Sequence, residues 1–263
     1  DALKNSADLV ECEPEVFQQP STARAEQVAA QSLGKLLAAP SCLPPILVDK
    51  AVDWAQEKAG FGFAPEQAEG LKTALSSKVS ILTGGPGTGK TPILQALVAI
   101  LKAKKVRVQL TAPTGRASRR MAETTSHFSQ TVHRLLQFDP SAGGFTANEN
   151  KPLSCDFVVM DEASMLDVRL AASLLRAIPP QAHLLLVGDA DQLPSVGSGN
   201  VLKDLIDSDL IPVTRLQVTF RQKEDSGIVG TAHGILAGRT APPSPADDPE
   251  LLDLSRDVHF VRA

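Results

Sequence analysis

GGPGTGKT, residues 84–91, decides the fold of this chain. The stretch fits GxxxxGK[ST], follows the apolar run VSILT, and precedes Ile93, Leu94, Leu97, Val98 and Leu101 at helical spacing. A strand, a glycine-rich turn and a buried helix in that order make a phosphate-binding loop, whereas a chance turn would lack the flanking pattern. Gly85, Pro86, Gly87, Thr88 and Gly89 let the backbone curl so that successive N–H groups face phosphate oxygens. The helix that follows adds its partially positive end. Lys90 then reaches the β- and γ-phosphates and Thr91 ligates Mg2+, so the implied ligand is a nucleoside triphosphate.

Outward from that loop, apolar β-rich runs recur at 106–110, 157–160, 183–187 and 213–216, with helical patterns between most of them. This alternation predicts an α/β fold, a parallel sheet covered by helices on both faces. Before it, helices are expected over 23–38, 48–58 and 65–75, the first ended by the proline-rich link APSCLPP. Residues 1–20 show no clear periodicity. Residues 137–152, QFDPSAGGFTANENKP, interrupt the alternation and read either as a β-hairpin inserted into the domain or as an irregular surface loop. Past Gly238, TAPPSPADDPE reads as a linker and 254–263 as the start of another strand.

With 263 residues, 43% of them hydrophobic, the chain can bury a large core. A formal net charge of -4 gives no overall positive field, so contact with nucleic acid has to come from local basic clusters. Cys12, Cys42 and Cys155 show no CxxC spacing and imply reduced thiols rather than a metal site. No secretory leader and no membrane-length apolar run is present, and a cytoplasmic protein is expected. The first residue, Asp1, suggests a piece of something longer.

In open parallel sheets ligands lie beyond the carboxyl ends of the strands. After FVVM stand Asp161, suited to a Mg2+ contact, and Glu162, suited to orient or deprotonate an attacking water. After HLLLV comes GDADQLP, where Gln192 is placed to hydrogen-bond the γ-phosphate or the lytic water. Arg221 follows VTRLQVTF; it is either a neutraliser of charge on the transferred phosphoryl group or a surface ion-pairing residue. After VQLTA come Pro113, Thr114, Gly115 and Arg116, and then TVHRLL with Thr131 and His133. Small hydroxyl residues, amides and arginines at strand ends suit the backbone of single-stranded nucleic acid; a solvated basic helix start is the other reading. Lys102, Lys104 and Lys105 sit where cations meet the carbonyl end of a helix dipole.

Together these segments resemble the RecD-like helicases of superfamily 1, the alpha chain of exodeoxyribonuclease V and its stand-alone relatives. FAPEQ is similar to that family's Q motif, which puts Gln67 on the adenine edge. GGPGTGKT, TAPTGRASRR, TVHRLL, DEASMLD, GDADQLPSVGSGNVL and TFRQ are similar to its successive helicase motifs. The resemblance covers roughly residues 20–240 and implies a P-loop NTPase RecA-like motor domain at 48–240. Residues 1–47 would be the tail of an N-terminal helical region. The hairpin at 137–152 would be a small 1B-like pin whose Phe145 touches the duplex fork. Residues 241–263 would be a linker and the start of a truncated second motor domain. It further implies ATP and Mg2+ as cofactors, Arg221 as an arginine finger, and 5′ to 3′ movement on single-stranded DNA. Partners would be single-stranded DNA, the fork and, in some relatives, nuclease-complex subunits.

The sequence departs from the family at Pro92, in the first helical turn, and at Gly234, where an arginine is usual. The fifth and sixth motifs have no counterpart in it. The competing functional class is a nucleotide-binding module without motor action; Glu162 and Gln192 argue against it, because a pure binding site needs neither. An AAA-type remodeller would need a helical lid with a sensor arginine, which the sequence does not show.

Overall fold

The computed structural model describes residues 9–141, 143–218 and Gly238. Strands β1 (Val10–Glu13) and β2 (Val16–Gln18) pair antiparallel and lead into α1 (Pro20–Ala38), α2 (Val48–Ala59) and α3 (Pro65–Ser76). Next come β3 (Val79–Gly84), α4 (Lys90–Ala103), β4 (Val108–Ala112), α5 (Gly115–Thr125), β5 (Ser129–Thr131) and α6 (Val132–Leu135). Two-residue strands β6 (Phe138–Asp139) and β7 (Gly144–Phe145) precede β8 (Phe157–Met160), α7 (Val168–Ala177), β9 (His183–Gly188), α8 (Val201–Asp207) and β10 (Val213–Leu216). Six of the strands form one sheet in the order β10-β3-β9-β8-β4-β5, every neighbouring pair parallel.

Alternation along each central strand builds two cores. Val158 and Met160 of β8, with Leu184 and Leu186 of β9, face a cluster containing Leu33 and Leu36 of α1 and Leu174 of α7. Phe157, Val159, Leu185 and Val187 face the opposite way, onto Leu71 of α3 and Ile93, Leu97 and Leu101 of α4. Because successive side chains in a strand point to opposite faces, strands covered on both sides must be apolar throughout. FVVM is buried at all four positions. Full burial of each such side chain stabilises the fold by roughly 1.5–3 kcal/mol before chain entropy is counted.

Several local features differ from the expectations drawn from sequence. The strand expected from 106 begins at Val108, because Lys105 takes φ 58° and the Val106 N–H donates to Leu101 O at 3.0 Å, closing α4 in a Schellman turn. Lys105 therefore fills a position that glycine usually occupies. Pro92 leaves α4 unbroken, since its absent N–H falls among the first-turn donors that have no intrahelical acceptor. The stretch at 137–152 does form an antiparallel pair, but only Phe138 with Phe145 and Asp139 with Gly144 are in register. β1, β2 and β5, each four residues or fewer, were not anticipated. The linker and strand expected beyond Gly238, and Gly234, lie outside the described residues.

At the amino-terminal edge of the sheet the APSCLPP link runs as a strap. Lys78 Nζ donates to Pro40 O at 3.4 Å, the Cys42 N–H to Gln181 O at 3.1 Å, and Lys104 Nζ to Pro45 O at 3.4 Å. Ser41 Oγ lies 2.7 Å from His183 Nε2, and His183 Nδ1 lies 2.9 Å from Ser77 O. A carbonyl can only accept, so Nδ1 carries the proton and Nε2 accepts from the Ser41 hydroxyl. The ring, 2% exposed and stacked on Phe157 at 5.7 Å, has its pKa pushed down from 6.5 to about 4, first by burial and then by the Lys78 charge. The unfolded chain then binds more protons than the folded one between those pH values, so stability falls as pH drops from 6.5 to about 4. We expect a loss of roughly 3 kcal/mol, since one pKa unit corresponds to about 1.4 kcal/mol. Asp156, held below the usual carboxylate range by its Arg107 hydrogen bonds, adds its own loss only in stronger acid. Urea melts at stepwise pH should show the slope in the parent and a flatter one in His183→Asn; equal slopes would refute this account.

Candidate active site

The loop at 84–91 leaves the carboxyl end of β3; the adjoining strand β9 leads to Gln192, and the next one, β8, to Asp161 and Glu162. Gly87 and Gly89 take φ of 83° and 87°, a left-handed backbone that glycine adopts without steric cost. Gly84 meets a different demand: a Cβ there would stand 2.7 Å from Thr88 Oγ1 and 2.8 Å from Leu216 O of the adjoining strand. The result is a cleft of about 660 Å³ lined by residues 86–92, Arg120, Thr124, Glu162, Asp189 and Gln192.

Lys90 Nζ donates to Gly84 O and, at 2.9 Å, to Gly85 O. Burial pushes its pKa down, and the charges of Asp189, Asp161 and Glu162 oppose that shift. Asp161 is pushed up, mainly by burial and further by Glu162; the Glu162 N–H donated to its Oδ1 at 2.9 Å and the charges of Lys90 and Arg120 act against the rise. Glu162 itself takes φ 53°, uncommon for a residue with a Cβ, and begins a 3-10 turn at Ala163–Met165. From that turn Ser164 Oγ donates to Gln192 Oε1 at 2.8 Å, so the carboxamide nitrogen of Gln192 is left to act as a donor. The Ala190 N–H donates to Thr83 Oγ1 at 3.2 Å, tying the Gln192 loop to β3.

Gln67 lies in the first turn of α3, 5% exposed, and accepts the Ala64 N–H at 3.0 Å; it does not line the cleft. Its helix begins at the same sheet edge, because Glu66 Oε2 accepts the Gln217 N–H just past β10 at 2.7 Å. Arg221 lies outside the described residues.

Further along the edge, Thr114 and Thr131 follow the adjacent strands β4 and β5, with Ala112 in register with Thr131. Both hydroxyls cap helices, Thr114 accepting from the Ala117 N–H at 3.2 Å and Thr131 from the Arg134 N–H at 3.3 Å. Each hydroxyl keeps a proton to donate. Gly115 and Arg116 are exposed beside Pro113 at the start of α5. His133 packs its ring 5.9 Å from Phe138 and 5.5 Å from Phe145, which are 5.3 Å from each other, so α6 buttresses the β6–β7 hairpin.

A family model described as an AAA domain matches residues 67–198. The chain is 40% identical over 220 residues to an ATP-dependent RecD2 DNA helicase of Deinococcus radiodurans, covering 83% of this chain and 30% of that protein. It is 37% identical over 198 residues to the RecBCD enzyme subunit RecD of Mycobacterium tuberculosis, covering 66% of this chain and 34% of the relative. The chain belongs to this AAA-domain family and is RecD-like. It spans about a third of the length of these RecD relatives. The crystal structure of Pif1 helicase from Candida albicans superposes with a TM-score of 0.50 at 24% identity over 66% of this chain and 44% of that one, a likeness of fold.

Within the RecD-like frame, Thr124 and Asp189 went unassigned from sequence, and Arg120, read with TAPTGRASRR as part of a nucleic-acid contact, lines the cleft beside them. The positioning of Gln192 by Ser164 was also missed. Helical spacing held a signal for Arg120 and Thr124, which stand four residues apart on one face of α5. Among the described residues no helix is long and apolar enough to cross a membrane.

Proposed function

We propose that this chain carries the first motor domain of a RecD-type DNA helicase, in which ATP hydrolysis drives 5′ to 3′ movement on single-stranded DNA. The observation that carries the reading is the gathering of Lys90, Glu162, Asp189 and Gln192 in one cleft at the ends of neighbouring parallel strands. Thr114 and Thr131 stand at the ends of the next two strands, β4 and β5. In this reading the 86–89 amides and Lys90 hold the triphosphate, Glu162 orients and deprotonates the attacking water, and Gln192 donates to the γ-phosphate. Gln67 stands at the adenine side, and Arg221 answers charge on the transferred phosphoryl group.

The chemistry of the donors suits Mg2+. Asp161 is a half-buried carboxylate whose raised pKa an adjacent divalent charge would reverse, and Thr91 offers a hydroxyl at the start of α4. Bound there, the ion would neutralise charge on the β- and γ-oxygens.

Pro113, Thr114, Gly115, Arg116, Thr131 and His133 form the strand-contacting surface, and the hairpin ringed by Phe138 and Phe145 meets the duplex fork. The RecBCD names of several relatives point to nuclease-complex subunits as partners, in the cytoplasm. Phosphate release, measured with and without a single-stranded oligonucleotide on a protein spanning the relatives' full length, should rise with the strand present. An unchanged rate would overturn the motor assignment.

A further inference from the structure

We infer that Arg120 is a phosphate ligand for the bound nucleotide, supplied from α5 of the same domain. This rests on the nucleotide reading above and adds a residue to it. Arg120 and Lys90 are the two basic side chains lining the cleft. Two carboxylates, Glu162 and Asp189, line the cleft with Lys90, the charge of Asp161 also reaches it, and a triphosphate would add several more negative charges. Lys90, the loop amides and a Mg2+ ion would answer part of that charge, and a guanidinium fork beside them matches phosphate oxygens two at a time.

The placement of α5 makes such a contact repeatable. Gln95 Nε2 of α4 donates to Thr124 O at 2.6 Å, and Met121 is buried beneath α5 at 2% exposure. Since α4 begins at the phosphate loop, that contact fixes the base of the Arg120 side chain relative to Lys90 and Thr91. Among the described residues no ion pair or side-chain hydrogen bond engages the guanidinium, although its charge is felt at both Lys90 and Asp161.

The test is direct titration of the chain with fluorescent N-methylanthraniloyl ATP and ADP in Mg2+, for the parent, Arg120→Ala, Arg120→Lys, Arg119→Ala and Lys90→Ala. Losing a charged hydrogen-bonding partner should weaken binding of the triphosphate roughly tenfold or more in Arg120→Ala, with partial recovery in Arg120→Lys. Arg119→Ala, equally exposed on the same helix, controls for net charge and should bind as the parent does. Parent-like affinity of Arg120→Ala for both nucleotides, with Lys90→Ala impaired, would overturn the Arg120 role and leave the nucleotide site standing. A parent that binds neither nucleotide would overturn both. Matching thermal melts of parent and Arg120→Ala would show that any loss is local.

Discussion

Lys90→Ala should reduce affinity for Mg-ATP by two orders of magnitude or more and remove ATP hydrolysis. The ammonium sits among Asp161, Glu162 and Asp189, donating to Gly84 O and Gly85 O. Its loss removes a cation from among those charges at the point where further negative charge must enter, and deletes charge-assisted contacts to the phosphates. Hydrogen bonds to charged groups contribute about 1.5–3 kcal/mol each, so two lost contacts correspond to roughly a hundredfold or more. Calorimetric titration of parent and variant measures this. The fold should survive, because the backbone of α4 and the apolar residues beneath it are untouched. Retention of parent affinity would remove the basis for a phosphate site in this cleft.

Glu162→Gln should separate binding from chemistry. The side chain lines the cleft, and its backbone is held in the left-handed region between β8 and the 3-10 turn that carries Ser164. A glutamine keeps that shape and can still orient a water, but it cannot take the proton. General-base catalysis is typically worth about 10²–10⁴-fold, so the hydrolysis rate should fall within that range while ATP affinity holds or improves. Single-turnover assays beside equilibrium binding distinguish the two effects. A variant that hydrolyses at the parent rate would move the base elsewhere, and one that fails to bind would make Glu162 structural.

How much of this was readable in advance varies with the physics of each segment. FVVM and HLLLV announced themselves because strands covered on both faces must be apolar at every position, and both proved buried throughout. The phosphate loop was equally plain, since its glycines and Lys90 are tied together by local geometry. β5 was invisible: its sequence Ser-Gln-Thr is polar, and it joins the sheet through pairing with β4 and the Thr111 hydroxyl donated to Gln130 O at 2.9 Å. The β1–β2 pair is too short for periodicity to register. Arg120 and Ser164 were missed at the cleft for a shared reason. Each acts across the sheet edge on a group distant in the chain, and such juxtaposition exists only once the strand order is known.

The strap at residues 40–45 has a kinetic implication. Its contacts reach residues that lie 38 to 142 positions away along the chain, from Lys78 at Pro40 to His183 at Ser41. The longest of them, Ser41 with His183, closes a loop of 142 positions and so costs more chain entropy than a local contact does, which is the kind of bond expected to form late in folding. Interactions made after the barrier govern how slowly the native state comes apart. The proline-rich link is therefore expected to act as a latch, and Ser41→Ala should quicken unfolding more than it slows folding.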